Sequence, residues 1–437
     1  MPPGRRGILA EGSESEMKAT LKWGKGEAVL QIPDKNVLAV LEPSGGEPVP
    51  DLAGEVARLV KKPTAGPSLE ELVWAIKPRT AAVIVNDMTR STPSDIMLPP
   101  LLGELERSGV PREGISVVVA TGTHRPMTDD ETRQTVGDEV FARYRVENHD
   151  CDSPDLVDMG TLSTGNRVLV NKTVAEAGLR LAIGEVLLHY YAGFAGGRKS
   201  VFPGVAGRET VMTNHRMMTA PGVGIGVVDG NVVSEEMVEA VREFCHLHFI
   251  LNCVSDSSKR IVRVVGGHWY DAWREGINTF KKYNFAPIPK KADVVFISAG
   301  GYPKDINMYQ AHKAMFMGAR ALRPGGTMVF FAELAEGYGH KVFEEWALRG
   351  LTPEGAIKAF EADFRFGAHK LYYLAKLAIE ASVLLYSNSN GEDSRRMFCE
   401  KVSAPEEILP ILVERYGEDF TSYVIPQGGI VLPTEEN

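Results

Sequence analysis

The stretch from residue 189 to 215, HYYAGFAGGRKSVFPGVAGRETVMTNH, holds two histidines, one lysine and five glycines, a composition that neither a core helix nor a core strand tolerates. Glycine lets the backbone reach positive φ and approach a bound group closely. Gly193, Gly196 and Gly197 ahead of Lys199 therefore read as a loop whose amides face a ligand, and phosphate is the chemistry such amides suit. A nucleoside-triphosphate loop is excluded, because G-x-x-x-x-G-K-[ST] needs glycine directly before the lysine and Arg198 stands there. Residues 181–188, LAIGEVLL, form a short apolar run bounded by turn signals and read as a buried strand ending at His189. In α/β sheets ligands collect at the carboxyl ends of strands. Pro203 and Gly204 make a turn, and residues 208–218 form a helix carrying His215. The competing reading makes His189 and His215 satisfied core histidines and Lys199 a solvated charge, and it leaves the glycines without a use.

At 437 residues the chain exceeds the usual single-domain range, so two domains are expected. A net charge of −9 gives no basic field for nucleic acid. No apolar run reaches the ~18 residues of a membrane span. Residues 1–16 are small and charged and read as a disordered leader. Cys151, Cys245, Cys253 and Cys399 are few and scattered, which fits a reducing cytoplasm. CHLHFILNC, residues 245–253, invites a metal reading, but its residues alternate as in a strand whose two faces differ in polarity.

Residues 18–32 alternate about a Gly-Lys-Gly turn and read as a hairpin, with a third short strand at 37–41. AAVIVN, residues 81–86, is a buried strand running into DMTRSTP, which places Asp87 and Arg90 at its carboxyl end. ISVVVA, residues 115–120, repeats the design and leads into TGTHRPMT, where Thr128 and Glu131 form a capping box and His124 lies in the loop. Successive strands thus deliver Asp87, Arg90, His124 and His189 to one sheet edge. His149 and His268 have polar neighbours and read as surface histidines. FAPIPKK, residues 285–291, breaks the pattern and marks the domain boundary. Beyond it the strand at 293–298 leads through Gly300 and Gly301 to a helix carrying Tyr309, Gln310 and Lys313, the last two sharing a face.

The reading is an α/β protein of two α/β domains with an active-site cleft between them: a first domain at 17–284 carrying the glycine-rich loop, and a smaller one at 285–437 carrying Tyr309, Gln310 and Lys313.

The motifs NDMTRSTP, ATGTHRPMT, the 189–215 loop and GGYPKDINMYQAHKA, in this order and spacing, make the chain resemble the nickel-dependent lactate racemase family along nearly its whole length from Met17. The resemblance implies a racemase or epimerase of a 2-hydroxy acid, acting by reversible hydride transfer to a covalently tethered nickel pincer nucleotide, a pyridinium-3-thioamide-5-thiocarboxylic acid mononucleotide. It makes Lys199 the tethering amine, with Gly196 and Gly197 in its loop, and His215 the protein ligand to nickel. His124 and His189 become the acid/base pair, and Asp87, Arg90, Tyr309, Gln310 and Lys313 belong to the substrate site. It also implies partners that make the cofactor and insert nickel. The chemistry is consistent with these residue types. Removing a proton from Cα beside a carboxylate is difficult, hydride removal avoids the carbanion, and imidazole suits proton exchange near neutral pH.

Two readings from other classes compete. One is a zinc hydrolase with His124, His189 and His215 on the metal. The other is a cofactor-free protein holding small carboxylates through Arg90 and Lys313.

Overall fold

The structure, a computed structural model, describes residues 15–256 and 258–436. Two compact units divide them: Pro43–Phe285, and residues 15–42 together with 286–436.

The unit Pro43–Phe285 is built on a six-stranded sheet in the order Ile261–Gly267, Phe249–Ser255, Leu179–Glu185, Ala81–Asn86, Ile115–Ala120, Arg145–Asn148. All neighbours run parallel except the first pair. The valine- and isoleucine-rich runs of the Ala81 and Ile115 strands are buried nearly throughout, as parallel strands covered on both faces must be. The helix Ser94–Arg107 sets Met97, Leu98, Leu101 and Leu105 into the core that holds Val83, Val117, Leu181 and Leu251. The chain leaves Ala81–Asn86 toward Ile115 and Arg145, then returns to lay Leu179–Glu185 on the other side. Strand order therefore reverses at Ala81–Asn86, the kind of position where open α/β sheets bind ligands.

Three expectations need correction here. The strand expected to end at His189 ends at Glu185, and Leu188–His189 pairs instead with Gly193–Phe194. Of CHLHFILNC only Phe249 onward is strand, because Ala240–Cys245 is π-helical and His246 takes a left-handed φ of 44°. That strand is interior to the sheet and almost wholly buried, so its alternation does not separate a wet face from a dry one. His149 is buried at 2 % exposure, its Nε2 lying 3.0 Å from the Ala206 carbonyl, because the chain stays on the sheet after Asn148.

The other unit carries a second six-stranded sheet, Glu400–Val402, Ser382–Tyr386, Leu322–Phe331, Ala292–Ser298, Ser422–Ile425, Val37–Val40, parallel throughout. Its last strand corrects the expected domain limits, since residues 17–42 belong with the C-terminal sheet rather than with 43–284. The hairpin Glu16–Trp23 and Gly26–Pro33 has one apolar face, Ala19, Leu21, Ala28, Leu30 and Ile32, and a two-stranded ribbon cannot bury such a face alone. It packs into the core formed by Val294, Phe296, Val329, Phe331 and Leu384. Asn36 completes the attachment, donating to the carbonyls of Glu418 and Phe420 and accepting from Ser422 Oγ. Of the expected leader, residues 1–14 lie outside the described residues, and Glu16 already pairs with Pro33. The limit between the units at Phe285 and Ala286 falls within FAPIPKK, where Phe285–Ile288 is a strand paired with Leu432–Glu435. No helix among the described residues is long and apolar enough to cross a membrane.

Leu21→Ala should therefore destabilise the C-terminal unit by about 2–5 kcal/mol in urea unfolding. The same substitution at the exposed Leu38 should cost less than about 0.5 kcal/mol.

Candidate active site

Three parallel strands end side by side in the unit Pro43–Phe285, and the segment after each carries one expected group. Beyond Asn86 the chain turns through Asp87 to Arg90, with Asn86 Nδ2 donating to Thr92 Oγ1 at 2.9 Å and Arg90 N to the Asp87 carbonyl. Beyond Ala120 a tight turn at Thr121 presents His124, helped by the positive φ of Gly122, whose amide donates to the Gly204 carbonyl. His124 Nδ1 lies 2.7 Å from Asp87 Oδ2. Asp87 is buried, which by itself raises its carboxyl; hydrogen bonds from His124 and Thr89 and the charges of His124 and Arg90 outweigh this and hold it below the usual range. An ionised carboxylate can only accept, so His124 donates its Nδ1 proton and presents an unprotonated Nε2 when neutral. That ring is largely exposed.

Beyond Glu185 the chain turns back into the glycine loop. His189 Nδ1 accepts the Ala192 amide at 3.2 Å. Burial, followed by the charges of Lys199, Arg90 and His215, pushes His189 well below its ordinary value. Tyr191, 4 % exposed, is the hub of this region. Its ring centroid lies 4.4 Å from that of His189 and 4.8 Å from that of His215, and Lys199 Nζ is 5.8 Å from it. The structure thus brings Lys199, His189 and His215 around one aromatic ring that the sequence reading did not single out.

Two of the glycines are also required by packing. A Cβ on Gly196 would stand 2.8 Å from Asn252 Oδ1 and 2.9 Å from the Glu185 carbonyl, and one on Gly197 would stand 2.7 Å from the Trp273 ring. The Gly197 amide is donated to Asn252 Oδ1. Close packing of the loop on the sheet requires glycine at Gly196 and Gly197. Arg198, fully buried, holds the loop from inside: its guanidinium donates to the carbonyls of Phe194, Gly196 and Ala192 and to Ser234 Oγ, and stacks 4.0 Å from the Trp273 ring centroid. Burial lowers Arg198 to about 9, which leaves it cationic at neutral pH.

Lys199 emerges from this braced loop half-buried, and burial together with the charges of Arg90 and Arg198 pushes its amine well below the usual lysine range. His215 lies in the last turn of the helix Arg208–Arg216, 5 % exposed, and burial followed by the Lys199 charge lowers it to about 3. Its Nδ1 meets Asn214 Oδ1 at 3.2 Å, while Asn214 Nδ2 is donated to the Val233 carbonyl and to Glu236. His215 is therefore neutral with its proton on Nδ1 and its Nε2 lone pair available, the form in which imidazole binds a metal. Also missed by the sequence reading is Glu185, a buried carboxyl at the end of its strand. Burial raises it, against the charges of Arg90 and Lys259 and a hydrogen bond from the Ser91 amide.

Tyr309, Gln310 and Lys313 lie on the helix Met308–Gly318 of the other unit, which Asn307 caps by accepting the Gln310 amide. Lys313 Nζ donates to Gln310 Oε1 at 2.9 Å, as the expected shared face requires. Tyr309 stacks on His340 with centroids 4.7 Å apart, and Lys370 Nζ lies 4.5 Å from its ring and 2.9 Å from His312 Nε2. His340 and Lys370 are far away in sequence, and no spacing pattern joins them to Tyr309.

The zinc reading fails on geometry. Among the described residues the one group of three potential ligand atoms within 4.8 Å of one another is Asp150, Cys151 and Asp152, not His124, His189 and His215.

Two doubly wound α/β units, one bearing an acid-backed imidazole, a second imidazole and a half-buried amine beside a strand-order reversal, describe an enzyme acting on a small molecule. Comparison with known proteins gives the family. Residues 23–226 match the lactate racemase N-terminal domain and residues 288–432 the lactate racemase C-terminal domain. A lactate racemase of Thermoanaerobacterium thermosaccharolyticum is 30 % identical over 426 residues, 95 % of this chain and 99 % of that one. A lactate racemase of Lactiplantibacillus plantarum is 33 % identical over 328 residues, 74 % of this chain and 76 % of its own. The solved lactate racemase apoprotein of T. thermosaccharolyticum superposes with a TM-score of 0.86 at 30 % identity, covering 96 % of this chain and all of that one. A Thermotoga maritima protein shares the fold at 18 % identity, with a TM-score of 0.61 over 90 % of this chain and 100 % of its own. The chain belongs to the lactate racemase family and is an isomerase, a racemase.

Because Arg198 is a fastener rather than a ligand, Arg198→Lys should lower stability by about 1.5–3 kcal/mol, the scale of hydrogen bonds to a charged group. Hydrogen exchange of residues 190–199 should accelerate in the same variant, with the Ile115–Ala120 strand unaffected.

Proposed function

We propose that the chain racemises or epimerises a 2-hydroxy acid of the lactate type, using a nickel pincer nucleotide tethered to Lys199. The observation that carries this reading is the grouping of Lys199, His189 and His215 around Tyr191. The side chains fit the group. A lysine whose amine is pushed well below its usual range by burial and the charges of Arg90 and Arg198 suits the thioamide link, and a buried neutral histidine with a free Nε2, oriented by Asn214, suits nickel as the single protein ligand. When bound, this cofactor supplies a reversible hydride acceptor.

The protein's own part is binding and proton transfer. Arg90, exposed at the end of the central strand, holds the substrate carboxylate with a planar fork of donors. Asp87 keeps His124 oriented and stabilises its imidazolium once it accepts the hydroxyl proton. His189 is the second acid/base group. Tyr309, Gln310 and Lys313 contribute further substrate contacts, a role carried by the motif they stand in. Loading needs enzymes that make the cofactor and insert nickel. The four cysteines are free and buried, in keeping with a reducing cytoplasm, where we place the protein.

Lys199→Ala should abolish covalent loading in protein co-produced with cofactor-making enzymes, read by peptide mass mapping, whereas His215→Ala should keep the organic mass and lose nickel by elemental analysis. Added mass on a different lysine overturns the attachment. His124→Ala should slow racemisation, followed by chiral chromatography over a panel of 2-hydroxy acids, by roughly 10²–10⁴-fold.

A further inference from the structure

His124 and His189 differ in one respect that decides which can take a proton first. Each ring has one nitrogen fixed by a neighbour, and in both cases that nitrogen is Nδ1. The neighbours are of opposite kind. Asp87 is a carboxylate and accepts, so His124 carries its proton on Nδ1. The Ala192 backbone amide can only donate, so His189 Nδ1 must be bare and the neutral ring must carry its proton on Nε2. Neither assignment depends on locating a hydrogen atom, because the partner's chemistry leaves no choice.

We infer that the two histidines are not interchangeable: Asp87 sets His124 to offer a lone pair from Nε2, while the Ala192 amide sets His189 to offer a proton from Nε2. This rests on the racemase reading above and deepens it. In the resting protein the first proton acceptor is His124. The substrate O–H bond breaks, an N–H bond forms at His124 Nε2, the oxygen keeps the electron pair, and the imidazolium retains its Nδ1 proton on Asp87. His189 meanwhile donates a hydrogen bond to a substrate oxygen. It can accept a proton in its turn only after its own proton has passed from Nε2 to Nδ1 through water, which breaks the contact with the Ala192 amide.

That contact belongs to the braced loop. Arg198 donates to the Ala192 carbonyl at 2.7 Å, and Asn231 Nδ2 to the Tyr191 carbonyl at 2.8 Å. The Ala192 peptide is therefore gripped on the far side from His189, and the loop that presents Lys199 also fixes the form of His189. Asp87 and the Ala192 amide are positioning groups that act through the two rings.

Steady-state rates do not reveal such an asymmetry. A racemisation has an equilibrium constant of unity, so kcat/KM is equal in the two directions whatever the histidines do. The test is spectroscopic. Full-length protein containing histidine labelled with heavy nitrogen, at a pH where both rings are neutral, reports by NMR which nitrogen of each ring is protonated, with His124→Gln and His189→Gln assigning the signals. The expected result is His124 protonated on Nδ1 and His189 on Nε2. Asp87→Asn, nearly isosteric, should convert the single form of His124 into a mixture and leave His189 unchanged. The same protonated nitrogen on both rings, or a His189 protonated on Nδ1, overturns the inference. The chiral assay of loaded enzyme tests the racemase reading separately, so either can fail while the other stands.

Discussion

The interaction on which the site depends is a buried cation held by backbone carbonyls. Arg198 lies inside the loop it belongs to, donating to three backbone oxygens and one hydroxyl and covering the Trp273 ring. A loop with glycine at 193, 196 and 197 has high conformational entropy when unfolded and few side chains with which to pack. A planar guanidinium with donors in a fixed fork offsets this by fastening several turns of backbone at once, which an ammonium could not do. Asn252, Asn231 and Trp273 add hydrogen bonds from the sheet and neighbouring helices. The result is a rigid support for the next residue, Lys199.

Around that support the environment changes the character of ordinary side chains. Burial lowers the proton affinity of Lys199, His189 and His215, helped by the charges of Arg90 and Arg198 at Lys199 and His189 and by that of Lys199 at His215. A lysine is eased toward the neutral amine and a histidine becomes a lone-pair donor without any change of residue type. Only His124 is backed by a carboxylate, and it is also largely exposed. The site thus combines one imidazole suited to carrying charge with two held neutral.

The two units reach this by the same construction. In each, a central parallel strand ends at a reversal of strand order, and the following loop leads toward a helix with candidate site residues near its start or in the loop itself. Asp87 and Arg90 follow Asn86 in one unit, and Gly300, Gly301 and then Tyr309 follow Ser298 in the other.

The local chemistry was legible in the chain alone. Buried β-branched runs ending in polar motifs located Asp87, Arg90 and His124 just beyond strand ends, because a parallel strand must be apolar and its carboxyl end must open toward solvent or ligand, whereas the strand before His189 stops earlier, at Glu185. The absence of a P-loop was equally plain, since one arginine breaks that pattern. What Arg198 does instead was decided by tertiary structure, because its acceptors become neighbours only when the loop folds over the sheet. The same holds for Tyr191 as a hub, for Glu185 and for His340 and Lys370 beside Tyr309, which no spacing rule joins. The allegiance of the N-terminal hairpin was also out of reach. Alternation in residues 18–32 shows that one face must be covered, but hydrophobic burial is non-directional and does not say by what. The sequence named the candidate groups, and only the fold supplied the neighbours that orient them, because these are partners far along the chain or backbone amides whose direction no residue type records.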